Sequence, residues 1–73
     1  MTKLAYPVRR IVNFDGSSDT VHYIGEASFG IQNSDAAWRI FRLSYSGSDF
    51  QLRYADGTDE YNKVWDNRAS YTY

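Results

Sequence analysis

The sequence predicts an all-β fold: a small antiparallel meander, sandwich or partly open barrel of about five strands, with one short helix near residues 59–66. Three observations carry this. Apolar and polar residues alternate through Trp38-Arg39-Ile40-Phe41-Arg42-Leu43-Ser44-Tyr45 and again through Phe50-Gln51-Leu52-Arg53-Tyr54, the period of a strand. Turn formers separate these runs, in Asp15-Gly16-Ser17-Ser18-Asp19, Ser46-Gly47-Ser48-Asp49 and Asp56-Gly57. The 73 residues include two Trp, seven Tyr and four Phe, types that favour a pleated, half-buried surface.

The elements follow in order. Residues 1–8 have no clear period, and Pro7 biases Tyr6 towards extended backbone, so they form an extended arm before a single β domain at residues 9–73. Arg9 to Phe14 is a β-type run, the cluster at residues 15–19 turns it, and Thr20 to Ile24 returns as the second half of a hairpin. Gly25 to Ala36 mixes Gly, Ser, Asn and Asp with isolated Phe29 and Ile31 and predicts a surface loop. Ala37 to Tyr45 and Phe50 to Ala55 form the central hairpin, with Phe50, Leu52 and Tyr54 on one face. Tyr61, Val64 and Trp65 then stand at i, i+3 and i+4, and Thr58 or Asp59 can cap the start of the short helix. Arg68 to Tyr73 alternates again and predicts a last strand with Ala69, Tyr71 and Tyr73 on one side.

A domain of this size buries only roughly 60% of the surface of its unfolded chain. Such a core supplies no more than about 3 to 5 kcal/mol of net stability. There is no cysteine for a disulfide and a single His with no thiol for zinc, so association with further copies is the stabilising route left. The net charge is −1, with basic and acidic residues interspersed, which lacks the basic footprint of a nucleic-acid binder. The first seven residues carry no apolar stretch of signal-peptide type, and no run has the length of a membrane span. The expectations are no nucleic acid, no membrane, no cofactor and a homo-oligomer.

The central strand sharpens the case for association. Trp38 and Ile40 point to one face, and Phe41, Leu43 and Tyr45 to the other. Either a bulge near Ile40 shifts the phase or both faces are covered, and the chain has few residues from which to build a second covering layer. The aromatic residues expected at a partner interface are Tyr6, Phe41, Tyr45, Tyr61, Tyr71 and Tyr73, since Tyr joins an apolar body to a polar tip.

No catalytic or metal residue is expected. His22 lies within a strand and has Glu26, not a nucleophile, as a same-face neighbour. Asp15, Ser17, Asp19 and Glu26 match positions 1, 3, 5 and 12 of a calcium loop, but Thr20 stands where the sharp turn needs Gly. If residues 19–26 are extended, Asp19 and Glu26 are about 23 Å apart. Asp56, Asp59 and Glu60 read more simply as a turn and a helix start. A second functional class remains: Trp38, Trp65 and the tyrosines as a flat platform for sugar rings. That requires two or three coplanar exposed rings beside hydrogen-bonding side chains.

Several phrases, Tyr23-Ile24-Gly25, Ala37-Trp38-Arg39-Ile40, Tyr54-Ala55-Asp56-Gly57 and above all Val64-Trp65-Asp66-Asn67-Arg68-Ala69-Ser70 followed by Tyr71-Thr72-Tyr73, together resemble small virion structural proteins of tailed bacteriophages. The resemblance runs from about Val21 onward. It implies a non-enzymatic building block of the virion that self-associates and contacts other virion proteins, placed on the capsid surface as a decoration or cement protein or on the tail. The alternative is a small aromatic glycan-binding module on a tail fibre. In the building-block case Trp38, Trp65, Asp66 and Arg68 form a structural clasp, with Trp65 packed on the sheet and Asp66 or Arg68 tying the helix end to the last strand.

Overall fold

The computed structural model describes residues 10–73, so the arm at residues 1–8 and Tyr6 lie outside the described residues. The alternating runs become strands β1 (Arg10–Asp15), β2 (Val21–Ser28), β3 (Ala36–Ser46) and β4 (Asp49–Tyr54), paired antiparallel in the order β1-β2-β3-β4. A two-residue β5 (Lys63–Val64) completes the five-stranded meander by pairing with the start of β3. The sheet does not close, so the open member of the expected architectures is the one adopted. The turn at Ser46-Gly47-Ser48-Asp49 reverses the chain through Gly47, which takes a φ of 64°, and Asp56 and Gly57 at 54° and 73° do the same after β4.

Three local expectations are corrected. Gly25 to Ser28 belongs to β2, not to a loop: Asn13 faces Gly25 on one side and Ile40 on the other, while Ala27 and Ser28 pair with Ile11 and Arg10 of β1, and this pairing outweighs the weak strand preference of Gly, Ala and Ser. The helix near residues 59–66 is displaced. Val64 lies in β5, and a 3-10 helix spans Trp65–Ser70, with a shorter one at Ala55–Gly57. The last strand is absent, because residues 68–70 belong to that helix and Tyr71–Tyr73 form no ladder. Instead these residues fold back over the sheet.

The core lies on the face bearing Ala27, Trp38 and Ile40, closed over by Ala55 and Trp65. Trp38 and Ile40 are fully buried, and each large apolar side chain removed from water contributes about 1.5–3 kcal/mol. Ile11, Tyr23, Ile31, Tyr71 and Tyr73 pack around them. Trp38 also donates its indole N–H to the Gln32 carbonyl at 2.9 Å, satisfying the one polar atom its burial would otherwise strand. Lys63 is buried too, its Nζ donating to Asn62 Oδ1 at 2.6 Å and lying 5.9 Å from the centre of the Tyr71 ring.

Candidate functional site

Pairing register decides which side chains share the second face of the sheet. From Arg39 to Ser46, β3 pairs with β2 and β4 without a shift, and the irregularity of β3 lies earlier, between Ala36 and Trp38 against β5. The phase therefore holds through Ile40, and Phe41, Leu43 and Tyr45 point away from the Trp38–Ile40 core. Of the two possibilities left by the sequence, the bulge that would gather all five residues on one side is not formed.

On this second face Phe14, Ile24, Phe41 and Tyr54 line up across four strands, because Phe14 faces Ile24, Ile24 faces Phe41 and Phe41 faces Tyr54. The next row is His22, Leu43 and Leu52, and then Tyr45 and Phe50. Phe14 is 63% exposed and Phe50 67%, and Val12, Leu52 and Tyr45 are exposed as well. No described element lies over them. The covered face receives the C-terminal segment, and no described segment is placed comparably on the open face.

The open face carries its charges at one end only. There Glu26 accepts from Arg39 Nε at 2.9 Å and from Arg39 Nη2, and Arg10 approaches its other oxygen at 3.4 Å. The hydrogen bond to Glu26 holds the Arg39 guanidinium protonated beyond its ordinary range. Tyr61, half exposed, lies under the same guanidinium, 4.9 Å from ring centre to carbon. The rows beyond it, from Phe14 to Phe50, contain neither acid nor base apart from His22.

The exposed rings meet edge to face. His22 stands between Phe14 and Tyr45, with centroids 5.2 Å away on each side and interplanar angles of 61° and 80°. Phe41–Tyr54 and Tyr45–Phe50 are tilted by 68° and 82°. These pairs do not make the coplanar platform that stacking on sugar rings requires, and Trp38 and Trp65 are buried. His22 reaches the Tyr45 hydroxyl at 3.5 Å, a loose contact between two groups neither of which is a nucleophile poised by a third residue.

The residues singled out from sequence thus separate. Phe41 and Tyr45 lie on the open face, and Tyr61 lies at its charged rim. Tyr71 and Tyr73 do not join them: they pack on the covered side, where the Tyr71 hydroxyl accepts from Val64 N at 2.8 Å and the Tyr73 hydroxyl donates to the Arg68 carbonyl at 2.7 Å. Burial, with Tyr23 nearby, pushes the Tyr73 phenol well above its ordinary range. Phe14, His22, Leu43, Phe50 and Leu52 belong to the open face although sequence reasoning did not select them. Their even–odd phase along β1 to β4 was the available signal, but it acquires meaning only through strand register.

The four residues of the expected clasp occupy the covered side. Trp65 lies on the sheet against Trp38, with centroids 5.8 Å apart. Arg68 stacks on Trp65 at 4.6 Å and donates to Asp15 Oδ2 at 2.9 Å, so it ties the helix to the end of β1 and not to a strand that follows it. Asp66 makes its tie through the backbone, its N–H donating to the Asn33 carbonyl at 3.1 Å. Hydrogen bonds from Ser17 and then Arg68 lower the Asp15 pKa to about 2.

Both carboxylates at the ends of the calcium-like spacing are engaged by arginine, Asp15 by Arg68 and Glu26 by Arg39. Among the described residues no group of three His, Asp or Glu side chains is arranged to hold a metal ion, and no helix is long and apolar enough to cross a membrane. No protein-family model, curated protein or solved structure matches this chain.

Proposed function

We propose that this chain is a non-enzymatic structural protein of a tailed-bacteriophage virion, associating with copies of itself and packing onto the capsid surface as a decoration or cement protein, or onto the tail. The observation that carries the self-associating part is the apolar face spanning β1 to β4, charged at one end only, with no described element over it. Contiguous apolar patches beyond a few hundred Å² are rare on monomers and mark interaction sites. The virion part rests on the sequence phrases that resemble phage structural proteins, the strongest of which, Val64 to Ser70, builds β5 and the helix that closes the core.

A glycan-binding module on a tail fibre is the competing function, and the mutual tilt of the exposed rings favours association over it. Purified particles test the proposal. The expected result is the chain present at fixed stoichiometry in washed virions, with no saturable binding to host-surface glycans. Absence from the particles, or glycan binding that quenches tyrosine fluorescence, would overturn it.

A further inference from the structure

We infer that the open face is covered by the same face of a second copy of this chain, the two sheets stacking as layers of an intermolecular sandwich. This rests on the self-association proposed above and assigns the surface, the occupant and the orientation.

Size comes first. Four strands about 4.8 Å apart and six residues long at about 3.3 Å each present a footprint of roughly 19 by 20 Å, or about 400 Å² before side-chain relief is counted. Two such faces pressed together bury on the order of 1,000 Å², the size at which an interface holds two proteins. The side chains that would fill it are still in water: Val12 and Leu52 are each more than half exposed, as are Phe14 and Phe50.

Residues 1–9 are too few to fill this area. Residues 1–9 can supply at most one strand width, about a quarter of the patch, and their apolar side chains in one phase are Leu4, Tyr6 and Val8. A charged partner finds nothing to grip in the rows from Phe14 to Phe50. A neutral face, by contrast, meets itself without like-charge contact, which an isologous interface requires.

The charged end then selects the orientation. A two-fold axis across the strands would lay the Glu26–Arg39 row of each copy, with Arg10 beyond it, towards the Tyr45–Phe50 row of the other, burying ions against rings. An axis parallel to the strands keeps both ionic rows together at one rim. It places the Phe14 edge of one copy over the Phe50 edge of the other, so that the two most exposed rings of the open face fill opposite margins of the same layer.

The test is sedimentation equilibrium of the full chain with four substitutions, each checked for β-sheet circular dichroism. Leu52→Glu puts a carboxylate in the middle of the β4 edge. Gln51→Glu puts one on the opposite side of the same strand, and Tyr6→Glu puts one in the arm. The wild type is expected to be dimeric or larger, with Leu52→Glu weakening association by at least about 100-fold while remaining folded, and the two other carboxylates leaving it unchanged. Phe50→Ser, at the exposed end of the strand, makes the same test should Leu52→Glu lose its sheet. A wild type that stays monomeric near about 100 μM, association that survives both face substitutions, or association lost on Tyr6→Glu instead would overturn the inference. Association that survives the face substitutions still leaves the building-block function standing. Dimerisation through this face by a chain absent from virions supports the interface and defeats that function.

Discussion

Gly25 lies directly beneath Trp65. A Cβ on Gly25 would stand 2.5 Å from Trp65 Cε3 and 3.1 Å from Trp38 Cε3, so the helix that covers the sheet can seat its indole only where the strand has no side chain. Gly25→Ala is expected to destabilise by about 1–3 kcal/mol through overpacking. Trp65→Ala should cost about 3–5 kcal/mol through the cavity it leaves. In the Trp65→Ala background the extra methyl should cost much less, because the atoms it strikes are gone. Urea melts of the two single variants and the double variant measure this coupling, and simple additivity would refute the contact.

The Asp15–Arg68 pair links the C-terminal helix to β1 and predicts an acid-sensitive closure. The Asp15 pKa is lowered to about 2 in the fold, against about 3.9 in an unfolded chain. The folded state therefore prefers the ionised carboxylate. Its contribution is complete above about pH 4 and is lost as pH falls through about 2. Stability followed across this window should fall more steeply in the wild type than in Asp15→Asn, and parallel curves would contradict the assignment.

Asp56 holds the chain end against the sheet by a reciprocal pair of bonds: its N–H donates to the Thr72 carbonyl at 2.7 Å, and its Oδ1 accepts from Thr72 N at 3.1 Å. It does so with a φ of 54°, a region that Asn and Asp tolerate better than other side chains. Asp56→Ala is expected to lose about 1–3 kcal/mol, and Asp56→Asn less than half of that. Amide exchange at Thr72 should accelerate in the alanine variant ahead of exchange in β2 and β3. Unchanged protection there would show that the turn does not anchor the segment.

Tyr73 supplies an alkaline counterpart. Burial raises its phenol above the ordinary value, so the fold prefers the protonated form, and this preference is lost as stability when pH rises past about 10, where the unfolded chain ionises. In an ultraviolet titration one tyrosine should ionise later than the exposed ones, together with unfolding, and Tyr73→Phe should remove that late step. A single early transition in both proteins would count against the buried phenol.

Alternation made the central hairpin legible, because Phe50, Leu52 and Tyr54 share one phase over a run bounded on both sides by turn formers. Gly25 to Ser28 was not legible as strand. Small residues carry little preference of their own, and their place in β2 comes from pairing with β1, with β3 as well at Gly25, and from an indole that needs the space there. The spacing of Tyr61, Val64 and Trp65 matches a helix, yet Val64 is claimed by the β3 edge and the helix starts one residue later. Short helical turns depend more on what they dock against than on their own period.

What the amino-acid order determined by itself is that this sheet has two apolar faces: the side-chain period of a strand is two, and Trp38, Ile40, Phe41, Leu43 and Tyr45 occupy both phases. Which of these faces is covered was decided only in three dimensions. Trp65, Tyr71 and Tyr73 can close over one layer alone, and they close over the side where Gly25 leaves room for a ring, which leaves Phe14, Phe41, Leu52 and Phe50 facing outward.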